Sequence, residues 1–476
     1  PYKPEPTTTN LESSTKDTSD DNRKSSDDGE ESSEPLADFC EDGDADCDQE
    51  YFFLLGAFET SNNLNPNTFA FQTATAYSVK INNLKRNDRL YFTTTTGFTN
   101  QDNRTTDAIV RMKVKNGDSL SEQRETLSQN MGEVTLATAG MIDVPESGNQ
   151  SYLVQMEAGA GDLQAAGGNM VAMVYRKLPL ADAVSGKEEG YFFLGFQKTS
   201  SVASESLSSG DDGVELLSKA TNLREGDLVV ATTLMSWKSI QEESAPCVGA
   251  EIQTEITLNG ESFAKPAGRI IDTDSVDATL RASKIYRAEE GGEVKFALEA
   301  GITGGDCDLE VKGHSSMLLY IFRPFRYLED SFGQAYALFN SGIVNLESKT
   351  LATSGTAEKV NTAVDKSFDL GAGDVLFYET FANIGADDEG NGNAGTTTLM
   401  QLKRSQAEKY SSIGRAQLSG DREHSTLYAA DALYTEKATT ETIESNFSAI
   451  NQNRDPVQIK SLKFMYHQFR LLPKPR

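Results

Sequence analysis

The sequence predicts an all-β protein: three tandem antiparallel β-sandwich domains of jelly-roll type, preceded by an acidic, extended N-terminal arm. Three observations carry that prediction. The aromatic run "YFFLLGAF" at Tyr51 to Phe58 returns 140 residues later as "YFFLGF" at Tyr191 to Phe196. Each unit then breaks into roughly eight short runs rich in Val, Ile, Thr, Phe and Tyr, parted by Gly, Asn, Asp and Ser, as short strands and tight turns require. Helical periodicity is scarce; the best stretch, "TTETIESNFSAI" at Thr439 to Ile450, predicts one short helix in a loop of the third unit.

The first element is the arm, residues 1–50. It holds 17 acids against 4 bases, net −13 of the chain's −28, so −15 remains for the other 426 residues. Residues 1–35 have almost no large apolar groups, and such a composition does not offset the entropy of ordering by burial. The arm ends in "CEDGDADCDQE", where Asp42, Asp44, Asp46, Asp48 and Glu50 alternate with other residues. In a compact loop that spacing turns several hard oxygen ligands toward one Ca²⁺. The loop departs from an EF-hand, with Cys47 where Gly is needed and Phe53 where a bidentate Glu is needed. It resembles the Asp-rich, Cys-containing calcium loops of thrombospondin type 3 repeats. The other reading is a solvated acidic linker with an incidental Cys40–Cys47 loop.

Three sandwiches follow, with expected bounds 51–180, 190–325 and 331–476. Their second shared signal is "NLKRNDRLYFTTTT" from Asn83, "NLREGDLVVATT" from Asn222 and "DLGAGDVLFYET" from Asp369. Each is a Leu, a short polar turn ending in Asp88, Asp227 or Asp374, and then a strand. The third signal closes each unit: "NMVAMVYRKLP", "SMLLYIFRPF" and "LKFMYHQFRLLP", whose Arg176, Arg323 and Arg470 recur at intervals of 147. These arginines read as end-of-strand structural residues. Trp237, the phenylalanines and the Met-rich closing strands read as core. The linkers "LADAVSGKEEG" and "RYLED" are short, so the units are closely strung.

Cys247 falls on the third or fourth strand of the second unit and Cys307 just before its closing strand. They read as one disulfide or as two free thiols. An even count of four cysteines (Cys40, Cys47, Cys247, Cys307), with no CxxC pair, leans toward disulfides and an oxidising compartment. The sequons at Asn103, Asn149 and Asn446 permit glycosylation. The oxygen-rich loop at Asp387 to Gly395, with Asp387, Glu389, Asn391 and Asn393, reads as an exposed turn.

Catalytic patterns are missing from the sequence: no GxSxG, HExxH, P-loop or dinucleotide fingerprint in its strand–turn–helix context. Of the three histidines, His314 has Ser315 beside it, but adjacent strand residues point to opposite faces and make no triad. A single Trp argues against a sugar-gripping cleft. No enzyme activity is expected. So acidic a chain repels phosphate backbones, which excludes nucleic acid as a partner. No apolar run reaches 18 residues, so no membrane span is expected. The expectation is a structural subunit of an extracellular or surface assembly (filament, tube, sheath or shell) whose arm contacts a neighbouring copy, with any signal peptide removed. The alternatives are a Ca²⁺-assisted adhesin or carbohydrate-binding module that takes glycans, and a virion capsid or fibre protein.

Overall fold

A computed structural model of the chain describes residues 52–62, 68–70, 73–100, 106–114, 119–127, 133–158, 162–177, 188–200, 205–210, 213–239, 247–262, 267–271, 277–305, 307–311, 315–327, 336–346, 348–351, 353–354, 360–386, 396–405, 410–418, 424–450 and 456–472. Among the described residues the regular elements are strands, and they form four sheets. Among the described residues every strand pairing is antiparallel except a two-residue parallel bridge at Thr353–Ser354.

Within 52–177 the eight principal strands are Phe52–Asn62, Thr73–Leu84, Arg89–Asn100, Thr106–Val114, Ser119–Leu127, Glu133–Asp143, Gly148–Ala158 and Asp162–Lys177. Their spatial order is 1-8-3-6 in one sheet and 2-7-4-5 in the other. This order is the double Greek key of a jelly roll. The same order returns in 188–327, where the counterparts are Glu188–Ser200, Val214–Leu223, Leu228–Ser239, Glu251–Leu258, Ala267–Ile270, Asp277–Arg287, Gly292–Thr303 and Ser316–Tyr327. It returns again in 336–471 with Tyr336–Leu346, Val360–Leu370, Val375–Ala386, Thr396–Arg404, Tyr410–Leu418, His424–Tyr434, Thr439–Ile450 and Val457–Leu471.

The predicted helix at Thr439 to Ile450 is instead the seventh strand of the third repeat. Its apolar residues Ile443, Phe447 and Ala449 lie in the core beside a strand partner on each side. Tertiary pairing thereby overrides a weak local periodicity.

Each repeat has its own core between its two sheets. Phe92, Phe98, Tyr152 and Met170 fill the first, Trp237, Phe296 and Met317 the second, and Phe368, Tyr378, Phe447 and Phe464 the third. A fourth core belongs to no single repeat. It gathers Phe52, Leu54, Tyr91 and Tyr175 from the first, Phe193, Val230, Tyr320 and Phe322 from the second, and Leu338, Phe377, Tyr428 and Phe469 from the third. Strands facing it are therefore buried on both faces, as in the third strand of the first repeat, where seven consecutive residues, Leu90–Thr96, are buried.

The turn before each third strand is built identically. Asn87, Gly226 and Gly373 take φ of 70°, 85° and 89°, a left-handed region that Gly and Asn tolerate. The Asp that follows folds back, and Asp88, Asp227 and Asp374 each accept from the backbone amide three residues earlier, all at 2.8 Å. This is the local reason the sequence repeats a polar turn ending in Asp.

Candidate functional site

The three first strands meet in a ring. Phe52 lies opposite Phe193, Tyr191 opposite Leu338, and Tyr336 opposite Leu54. Within each repeat Leu54, Phe193 and Leu338 also face Tyr175, Phe322 and Phe469 of the eighth strand, followed by a one-residue bulge at Leu55, Leu194 or Phe339. Phe52, Tyr191 and Tyr336 are thus equivalent, as are Leu54, Phe193 and Leu338. Each contact joins the first kind of position to the second in the next repeat. The contact runs from first to second, second to third and third to first, so a head-to-tail interface closes inside one chain. Aromatic edges fill the junction: Phe52 and Phe193 are 6.2 Å apart, Tyr175 and Phe193 4.6 Å, and Tyr91 reaches Tyr320 at 5.3 Å and Phe377 at 5.8 Å. Arg89 lies over Phe52 at 4.0 Å and donates to the Leu194 carbonyl.

A polar node is enclosed beside this junction. Arg281 of the second repeat donates to Glu379 of the third at 2.7 Å and to the Tyr428 hydroxyl at 2.5 Å. Tyr428 donates to Glu379, which leaves Thr93 of the first repeat as the donor in its 2.8 Å bond to Tyr428. Asn169 of the first repeat accepts from Thr95 and donates to the Ala430 carbonyl of the third. Burial opposes the Arg281 charge, but the field of Glu379 and the surrounding phenols outweighs it and holds the guanidinium above its ordinary range. Burial pushes the Tyr91, Tyr320 and Tyr428 phenols up, with Glu379 adding to each. All four groups therefore keep one protonation state across any ordinary pH. A second buried pair, Arg269 to Glu125 at 2.9 Å, ties the second repeat to the first, and Asn383 donates to the Gly268 carbonyl to tie the third to the second.

The recurring arginines have structural partners in two repeats. Arg176 grips Asp88 and Arg323 grips Asp227 with two bonds each, of 2.7–2.9 Å. The third repeat departs from this. Gln468 donates to the Asp369 carbonyl and lies at the edge of reach of Asp374, while Arg470 turns over the exposed Phe339 ring at 3.7 Å.

Comparisons with known proteins give little beyond this. No family model and no curated protein matches the chain. Solved structures that match include a chain from "The Triple Jelly Roll Fold and Turret Assembly in an Archaeal Virus", at 13% identity over 89% of this chain and 92% of that one, with a TM-score of 0.16. Another comes from Sulfolobus Turreted Icosahedral Virus, at 10% identity, 89% and 97% coverage and a TM-score of 0.18, and a third is PNGF-II, at 9% identity, 80% and 99% coverage and a TM-score of 0.23. Likenesses this distant carry no argument about function.

Cys247 and Cys307 form a disulfide with Cα atoms 4.6 Å apart. Cys247 sits in a turn between the third and fourth strands of its repeat, not on either. Asn149 is exposed, with its side-chain oxygen accepting from the Asn83 amide. Asn446 is buried and its amide donates to Glu444, so a glycan there requires that bond to break and the side chain to turn out. Asp42, Asp44, Asp46, Asp48, Glu50, Cys40, Cys47, Asn103, His314 and the loop at 387–395 lie outside the described residues. Among the described residues no group of His, Cys, Asp and Glu is placed to hold a metal, and no helix is long and apolar enough to cross a membrane.

Of the remaining histidines, His467 bonds Ser341 at 2.7 Å, stacks on Phe377, and is pushed down by burial to a pKa of about 3. His424 is buried at the start of the third repeat's sixth strand. Sequence reasoning missed Thr93, Arg281, Glu379 and Tyr428; Thr93 and Glu379 fall inside the second shared signal, but its repetition marks a turn and a strand and not which residues meet across repeats. The Asp–Arg pairs did leave a signal, because both members recur with the repeat.

Proposed function

We propose that the chain is a structural subunit that self-assembles into an extracellular or surface sheath or shell, with residues 1–50 contacting a neighbouring copy. The observation that carries this reading is the closed ring of first strands. A ring that satisfies its own head-to-tail contact ties the three repeats into one subunit at the starts of their first strands. Among the edges it leaves are the second strands, Thr73–Leu84, Val214–Leu223 and Val360–Leu370, each paired on one side only among the described residues. Three equivalent open edges extend an assembly in two dimensions, which favours a sheath or shell over a linear fibre. The buried disulfide supports an oxidising compartment. Ca²⁺ held by the Asp42 to Glu50 loop would fix the base of the arm.

Negative-stain electron microscopy of the purified chain at rising concentration, with calcium and with chelator, tests the reading. Ordered sheets, tubes or shells are the expected result, fewer of them in chelator. Discrete single particles at every concentration contradict it.

A further inference from the structure

The three second-strand edges share a fold position and differ in charge. On the first repeat's edge and the turn that follows it, Lys80, Lys85 and Arg86 are exposed. The one acid there, Asp88, is buried and held by Arg176. The equivalent stretch of the second repeat sets Glu215 and Glu225 against Lys219 and Arg224, and that of the third sets Asp365 and Asp369 against Lys366. In a chain of net charge −28, the first repeat's is the one of these three second-strand edges that is basic without an opposing exposed acid.

The arm has the complementary character, 17 acids against 4 bases in 50 residues. Building on the assembly reading above, we propose that residues 1–50 of a second copy add as a strand to the Thr73–Leu84 edge of the first repeat, steered by Lys80, Lys85 and Arg86. The edge is 12 residues long, about 40 Å at the rise of an antiparallel strand, so a quarter of the arm covers it. Strand addition supplies main-chain hydrogen bonds whatever the side chains are, and the charges select the partner. Lysine on an open edge also deters pairing with neutral, apolar strands. The edge thus admits an acidic strand and discourages others.

The test mixes full-length chains of natural and ¹⁵N-labelled isotope composition under assembling conditions. It joins carboxylates to amines with a zero-length carbodiimide, maps the products by mass spectrometry, and follows light scattering of the same samples. The expected result is mixed-isotope cross-links from acids of residues 1–50 to Lys80 or Lys85. The variant K80E/K85E/R86E, whose sites are all exposed, raises the concentration needed for assembly at least tenfold, while K219E/R224E at the equivalent edge leaves it unchanged. Cross-links confined to single-isotope pairs, or directed to other lysines while scattering still rises, overturn the assigned edge and leave the assembly reading standing. Scattering that never rises overturns both.

Discussion

Asp227 is wholly buried and Arg323 holds it with two hydrogen bonds, so removing the guanidinium strands a charge in the interior. Arg323→Ala is expected to cost about 3–5 kcal/mol. Arg470 is its equivalent by register but is spent on an exposed ring, so Arg470→Ala is expected to cost about 0.5–1 kcal/mol. Urea unfolding of the two variants checks the difference, and equal losses contradict the partner exchange in the third repeat. Lys463 gives a second test. Its ammonium is buried with no hydrogen-bond partner among the described residues, and burial, with Lys284 nearby, pushes its pKa from 10.5 down to about 8. As pH falls from 10.5 to 8 the unfolded chain binds a proton that the folded chain resists, so stability drops across that window and stays lower beneath it. Lys463→Met is therefore expected to raise stability at pH 7 and to flatten the alkaline limb of a stability–pH profile. The burial of Lys463 was not legible in the sequence, because it sits in an ordinary alternating strand and the Lys284 near it comes from another repeat.

At the scale of elements, the eight-strand pattern and the shared turns were legible because alternation and Asn/Gly/Asp chemistry are local. Thr439–Ile450 was misread because the polar Glu441 and Ser445 share the inward, buried face with Ile443, Phe447 and Ala449 and so blur a strand's alternation, and only its two neighbours settle its state. The Cys247–Cys307 bond was anticipated as one of two alternatives, and its place in the fold carries a prediction. It closes a loop over a sequence separation of 60, linking the turn before the fourth strand to the segment after the seventh. Loop-closure entropy for that length is about 4 kcal/mol. Cys247→Ala/Cys307→Ala is expected to lose up to that amount, and calorimetry should place the loss in the transition that contains the second repeat. A loss spread evenly over all transitions would mean that the three repeats unfold as one cooperative unit.

At the scale of the molecule, the repetition itself was legible, but its closure was not. Nothing in the aromatic run shared by Tyr51 to Phe58 and Tyr191 to Phe196 says that the three first strands meet each other. That depends on which side of each strand faces the fourth core. Closure implies that the chain's folded ends are neighbours, since Leu471 lies opposite Tyr336 and Tyr336 opposite Leu54, two strand spacings or about 10 Å. A circular permutant opened between Lys177 and Glu188, with residue 472 joined to residue 51 by a short Gly/Ser linker, is expected to keep its β-sheet circular dichroism and melting temperature within a few degrees. Failure to fold would contradict the ring. The central claim, that this ring is a subunit assembled through its acidic arm, is tested most directly by sedimentation velocity of the full chain and of a chain beginning at Tyr51, over the same rising concentrations. The account predicts large, concentration-dependent species for the full chain and a single monomeric boundary for the shortened one; equal assembly by both would contradict it.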